Sequence, residues 1–339
     1  MSSVPPDPTE PQGGGAGFPP PLAVPPTAPG LAPLPASRPP PARQDGASEA
    51  SVGGNRAPAG SGSDSRQDVG GEPGWAWWQA LLGLVSAFLG TAVIGAVVVG
   101  SVALATGASL SDQPPVLNIL GVVVQDFVFV TAAIAFAAVT ARPRAWHFGL
   151  RRTRLWSTVG WAMIGAVLYF AFNVSYEALV EPRAQQSVAD ALGVNESAAL
   201  LVVGGFVIIV MAPIAEEFFF RAFFYRALRN SLARRFGRWR GAVLGALLTG
   251  LLFGAVHFEP DAVAIIPVLA ALGVTFCLVY ERTGSLFSVI ALHALINATA
   301  YLAVAEHSWP VALGFGGGMI VGCLVVPRLL SRAHAPAAA

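Results

Sequence analysis

The sequence predicts an all-α, polytopic membrane bundle of about eight transmembrane helices behind a disordered N-terminal arm. Three observations predict it. Hydrophobic residues make up 54% of the chain and charged ones only 12%, a balance rare in soluble domains. From Trp75 onward eight apolar runs follow one another, most of them near the ~20 residues a helix needs to cross hydrocarbon. Lys is absent, and Arg concentrates in two short polar segments between apolar runs, the loop pattern of membrane topology rather than of nucleic-acid binding.

The arm, residues 1–72, is rich in Pro, Gly, Ala and Ser and almost devoid of aromatic and β-branched residues, so it has too little apolar surface to build a core. It lacks the basic start and short apolar stretch of a signal peptide and is not expected to be cleaved. The "PTAP" at 26–29 and several proline pairs suit an entropic linker better than a partner ligand.

The runs fall at 77–106, 116–140, 156–180, 198–225, 240–258, 262–280, 285–304 and 309–327. With the N-terminus in the cytoplasm, the basic loops carrying Arg142, Arg144, Arg151, Arg152 and Arg154, and then Arg226, Arg229, Arg234, Arg235, Arg238 and Arg240, both fall inside. Asp112, Glu181, Asp190, Glu259, Asp261 and Glu306 fall outside, and both termini are cytoplasmic. Trp75, Trp77, Trp78, Trp156, Trp239 and Trp309 stand at run ends, where an aromatic belt is expected. Cys277 and Cys323 lie inside apolar runs without ligand spacing and read as inert core thiols.

Ionisable residues inside such runs are functional candidates, because charge at membrane depth is costly. In "AEEFFFRAFF", residues 215–224, Glu217 and Arg221 are four apart with the acid on the N-terminal side, the favourable order for a helical ion pair. Glu216 is rotated by about 100° from Glu217 and has no partner in its own helix. "FGAVH" puts Phe253 and His257 on one face of the fifth run, and "HALIN" puts His293 and Asn297 on one face of the seventh. An unpaired carboxylate, two imidazoles and an amide are the parts needed to activate a water and hold an oxyanion. At ~1.5 Å per residue, Glu216 and His293 come out at similar depths, whereas His257 counted from Arg240 lies about 25 Å up, nearly two turns too deep for a straight, untilted helix.

The three motifs, EExxxR at 216–221, FxxxH at 253–257 and HxxxN at 293–297, in this order and on successive helical regions, resemble the CPBP family of intramembrane proteases. That family includes the type II CAAX prenyl endopeptidases and bacterial abortive-infection homologues. The resemblance covers roughly residues 200 to 305, and "YERTGSLFSVIALH" resembles the family as well. It implies an eight-helix enzyme that cuts peptide bonds within or beside the bilayer, with 75–330 as the protease domain and 331–339 as a short tail. Glu216 and His257 would activate water, and His293 and Asn297 would bind the oxyanion. Glu217 and Arg221, with Phe253 beside them, would stabilise the site. A glutamate-activated water needs no cofactor and is the preferred expectation. A zinc ion on Glu216, His257 and His293 is the alternative, although HExxH is absent.

Gln125 and Asp126 in the second run, and Asn173 and Glu177 in the third, are expected to hydrogen-bond within the bundle. The first pair would otherwise serve a secondary transporter, and a non-catalytic scaffold of the same fold is the third functional class. His147, His307 and His334 read as solvated loop or tail histidines. The expected partners are the lipid bilayer and a membrane-associated protein or peptide substrate, with no nucleic acid. An Ala-, Gly- and Arg-rich chain without Lys suggests a GC-rich bacterial genome, hence a bacterial inner membrane where prenylated substrates are not expected.

Overall fold

Long stretches of Leu, Val, Ala and Phe with few breakers form helices wherever the runs predict them. The computed structural model describes residues 73–111, 114–140, 142–180, 188–258 and 263–333, with side chains as far as 329. The arm 1–72 lies outside the described residues, as do Asp112, Glu181, Glu259, Asp261 and His334. The long helices are α1 (Trp77–Thr106), α2 (Pro115–Ala138), α3 (Leu155–Leu179), α4 (Ala198–Phe236), α5 (Arg238–Ala255), α6 (Ile266–Thr283), α7 (Leu286–Val304) and α8 (Trp309–Ala333). There is no strand among the described residues.

Seven of these stretches are long and apolar enough to cross a membrane; α5 is not among them. Its inward face is almost all small: Gly241, Ala242, Gly245, Ala246, Thr249, Gly250 and Gly254 are buried. Arg238 and Arg240 in its first turn lower its hydropathy, and the small residues allow two helix backbones to approach closely. A Cβ on Gly241 would stand 2.4 Å from the Ala233 backbone in α4, and one on Gly250 would stand 2.6 Å from the Val274 amide in α6. A Cβ on Gly254 would lie 2.6 Å from the Ile266 carbonyl. The α5 helix is therefore wedged between α4 and α6 on its small-residue face, while Leu244, Leu247, Leu248 and Leu251 are exposed on the other.

Two expectations need correction. The basic stretch that begins at Arg226 is no loop: α4 continues through it to Phe236 and ends at Gly237, which adopts φ 83° and links directly into α5. Arg, Leu and Ala are good helix formers, so polarity there did not mean a break. Trp75 is no belt residue either. It is only 1% exposed, packs on Phe148 and Phe223, and donates its indole N–H to the Ala137 carbonyl. Trp77, Trp78, Trp156, Trp239 and Trp309 remain exposed, as a belt requires. Cys277 is buried, Cys323 is partly buried, and both are free thiols.

The core is centred on α4. Phe219, Phe220, Phe223 and Phe224 are buried there, with Phe129 of α2 against Phe219 and Phe220 and with Phe253 of α5 against Phe220. The α6 helix ends at Gly284, whose φ of 62° lets its amide cap the Tyr280 carbonyl. That turn delivers the chain within two residues to the start of α7, so the helix bearing His293 is anchored beside α6.

Candidate active site

The α4 helix is not regular. It has a π-helical turn at Val207–Met211 and a second at Phe218–Tyr225, features that recur at functional sites. The first leaves one carbonyl without its backbone donor. In π geometry the Ile208 carbonyl would receive the N–H of residue 213, but Pro213 has none. Asn297 of α7 supplies the missing donor, with its Nδ2 at 2.8 Å from the Ile208 carbonyl oxygen. Asn297 therefore holds α7 to α4, and its second amide hydrogen is what remains for an oxyanion.

Beyond this turn come the two glutamates, and the structure separates them. Glu217 is completely buried, and its Oε1 accepts from Arg221 Nη1 at 2.9 Å and from His293 Nδ1 at 2.8 Å. Arg221, equally buried, lies with its guanidinium carbon 4.3 Å from the Phe253 ring centroid and 4.9 Å from that of Phe276. Its Nη2 donates to the Gly273 carbonyl at 3.4 Å. One Glu–Arg pair thus joins α4, α5, α6 and α7. A carboxylate and a guanidinium can occupy a dry interior only when paired and hydrogen-bonded in this way.

Glu216 is only partly buried and makes no hydrogen bond to a described residue. It interacts electrostatically with Asp126 of α2. Phe129 packs on Phe219 and Phe220, and one turn back along both helices Asp126 comes within electrostatic range of Glu216, so α2 and α4 run parallel. Asp126 is 3% exposed, and neither of its carboxylate oxygens has a hydrogen-bond partner among the described residues. The hydrogen bond within the bundle expected of Asp126 is therefore not found among the described residues. Asn173 and Glu177 bond to each other at 2.9 Å on the exposed side of α3. His147 is partly buried against Trp75 rather than solvated.

His257 follows the end of α5. Its Nδ1 lies 2.6 Å from the Phe253 carbonyl; a carbonyl only accepts, so Nδ1 carries the proton and the lone pair of the neutral ring is on Nε2. The same argument applied to His293 and the Glu217 carboxylate leaves its Nε2 as an acceptor, which donates to an oxyanion only from the doubly protonated ring. Both imidazoles flank Phe253, with centroids at 4.8 Å for His257 and 6.3 Å for His293. The depth count set His257 too far up because it took Arg226 and Arg240 as one level, whereas α4 runs ten residues past Arg226 to Phe236 before α5 turns back. Among the described residues, no three His, Cys, Asp or Glu side chains are gathered as a metal-holding group, so Glu216, His257 and His293 do not converge on one point.

Residues 198–299 match the family model described as type II CAAX prenyl endopeptidase, Rce1-like. Over this stretch the chain is similar to the intramembrane proteases that its three motifs resemble. The match covers just under a third of the chain and contains Glu216, Glu217, Arg221, Phe253, His257, His293 and Asn297. No curated protein and no solved structure matches the chain. The family is one of peptidases, and with seven apolar helices the chain is an integral membrane protein.

Sequence reasoning missed the positioning residues Gly250, Gly254, Gly273, Phe276 and Pro213, and the ion pair between Arg229 and Glu281 at 2.7 Å that joins α4 to α6. The Gly250-x-x-x-Gly254 spacing inside an apolar run was a readable signal for close helix packing. Nothing in one sequence signals that Gly273 faces it.

Proposed function

We propose that the chain hydrolyses a peptide bond of a membrane-associated protein or peptide, with Glu216 and His257 activating water. The observation that carries this reading is the division between adjacent glutamates: Glu217 is held by Arg221 and His293, while Glu216 is left without a hydrogen bond to a described residue. A carboxylate so placed takes a proton from water as the oxygen attacks the scissile carbonyl carbon, with His257 Nε2 as the second acceptor. Charge that develops on the carbonyl oxygen is met by the remaining N–H of Asn297 and by His293 when doubly protonated. Transfer of the proton from Glu216 to the leaving nitrogen then completes cleavage. A bacterial cell membrane with both termini cytoplasmic suits the loop charges, with one basic stretch now being the end of α4. Prenylated proteins, as the family's description names, are one candidate substrate class, and lipid-anchored or membrane-spanning peptides without a prenyl group are the other.

Glu216→Gln is expected to lose turnover of a membrane-embedded reporter peptide by about a hundredfold or more, with the fold kept. Glu217→Gln is expected to lose less turnover and more stability. Activity that persists after prolonged chelation supports the glutamate–water route; reversible loss restored by zinc, with about one metal per chain, decides for a metal-dependent one. Uptake of a solute by proteoliposomes without proteolysis would replace the reading with a transporter.

A further inference from the structure

Away from the motifs, a cavity of about 210 Å³ opens between α3, α7 and α8. It is strongly polarised along its length. One end is ringed by Arg151, Arg152 and Arg328 with the hydroxyls of Thr153, Thr158 and Ser288, and the rest is walled by aliphatic residues such as Val159, Met163, Leu292, Leu295 and Leu324. Among the described residues, no acidic side chain lines it. Arg152 is exposed and makes no hydrogen bond or ion pair to a described residue. Leu155 and Thr158 of the first turn of α3 line the polar end, and the α3 N-terminus has no side-chain cap, so its first amides point towards the same place.

Its position relative to the bilayer narrows the occupant. The candidate spans Leu155–Leu179 and Leu286–Val304 begin at the polar end, and Trp309–Leu329 finishes there, so the arginines stand at headgroup level. From Leu155 to Ala166, the deepest α3 residue of the lining, the rise is about 16 Å. That is close to half of the ~30 Å hydrocarbon core, the depth of one leaflet. A ligand that fits is an amphiphile with an anionic head and an apolar chain one leaflet long. Basic pockets between membrane helices take anionic lipid headgroups for the same reason.

We propose that this groove is a binding site for one anionic phospholipid, its phosphate held by Arg151, Arg152 and Arg328 at the α3 N-terminus and one acyl chain laid between α3, α7 and α8. Leu292 and Leu295 present to the groove the face of α7 opposite the helix face that carries His293 and Asn297. A bound lipid therefore braces the helix on which the candidate site depends.

The test is headgroup selectivity of the full chain, read by native mass spectrometry after release from nanodiscs containing equal amounts of phosphatidylglycerol and phosphatidylcholine. The expected result is retention of about one phosphatidylglycerol per chain, preferred at least fivefold over phosphatidylcholine. Arg152→Gln combined with Arg328→Gln should abolish the preference. Val159→Trp, a substitution on the exposed side of the groove, should reduce retention of both lipids. Equal retention of the two lipids by the unmodified protein would overturn the proposal without any variant. So would unchanged selectivity in a correctly inserted double variant. Displacement of phosphatidylglycerol by an equal amount of a fatty acid or lipidated peptide would make the groove a site for carboxylate-headed amphiphiles instead. Neither readout depends on peptidase activity, so the fate of the catalytic reading leaves it untouched.

Discussion

The α1 helix and the α4–α7 group solve the membrane problem in opposite ways. Of the 30 residues of α1, only Gln79, Ala80, Gly83, Ala87 and Ala103 are buried in protein; Leu89, Val93 and Val97 are more than 60% exposed and meet lipid. In α7, of similar apolarity but 19 residues long, ten residues are buried, among them His293 and Ser288. Charge follows the same division: α1 has none, while Glu217 and Arg221 sit at the centre of the group that encloses them. Helices that face lipid can be built from hydrophobicity alone. Those that carry chemistry need partners for each polar atom, supplied by neighbouring helices and not by the solvent.

The sharpest way to break this comparison is to remove the cation at its centre. Arg221→Ala leaves Glu217 buried with only His293 beside it, and we expect a loss of about 3–5 kcal/mol, seen as a large fall in unfolding temperature in detergent. Arg221→Ala within 1 kcal/mol of the parent would mean that the pair contributes nothing beyond packing.

Next in size is the α5–α6 contact. Gly250→Leu forces a side chain into the Val274 and Ala270 backbone, and overpacking of this kind costs about 1–3 kcal/mol or more. Because Phe253 and His257 ride on the same helix, turnover should fall with it. Activity and stability both at parental values would show that α5 and α6 do not touch as described.

Asp126 tests the boundary, since α2 buries one face against the core and exposes Val116, Phe127 and Ile134 on the other. With both carboxylate oxygens unbonded, Asp126→Leu removes a desolvation penalty of about 1–3 kcal/mol, so stability should rise while any part the carboxyl plays beside Glu216 is lost. A drop in stability would reveal a partner for Asp126 and return it to the structural hydrogen bonders.

The smallest effect belongs to α1. A Cβ on Gly95 or Gly100 meets nothing within 4 Å, so Gly95→Ala and Gly100→Ala should change stability by less than about 1 kcal/mol, in the favourable direction. Strong destabilisation at either position would point to a helix packed on α1, such as a second copy of the chain.

Helix number and placement were readable from the sequence because hydrophobic runs report directly on which segments leave water. Their lengths were less readable: α4 runs on through a basic stretch that looked like a loop, since Arg is at ease in a helix whose end reaches the interface. The motif residues were legible because ionisable side chains in apolar runs are rare. That Glu217 rather than Glu216 would be tied was legible too, from its spacing to Arg221.

Tertiary structure alone decided the rest. His293 pairs with Glu217 across 76 positions, Asn297 substitutes for the amide that Pro213 lacks, and Asp126 faces Glu216 because α2 and α4 run parallel. Each of these depends on which faces of two helices meet and at what register. A single sequence determines the periodicity of each helix by itself, through backbone geometry and hydropathy. Rotation and offset between helices are set by the sum of many side-chain contacts, chief among them glycines whose missing Cβ atoms matter only once a neighbour is in place.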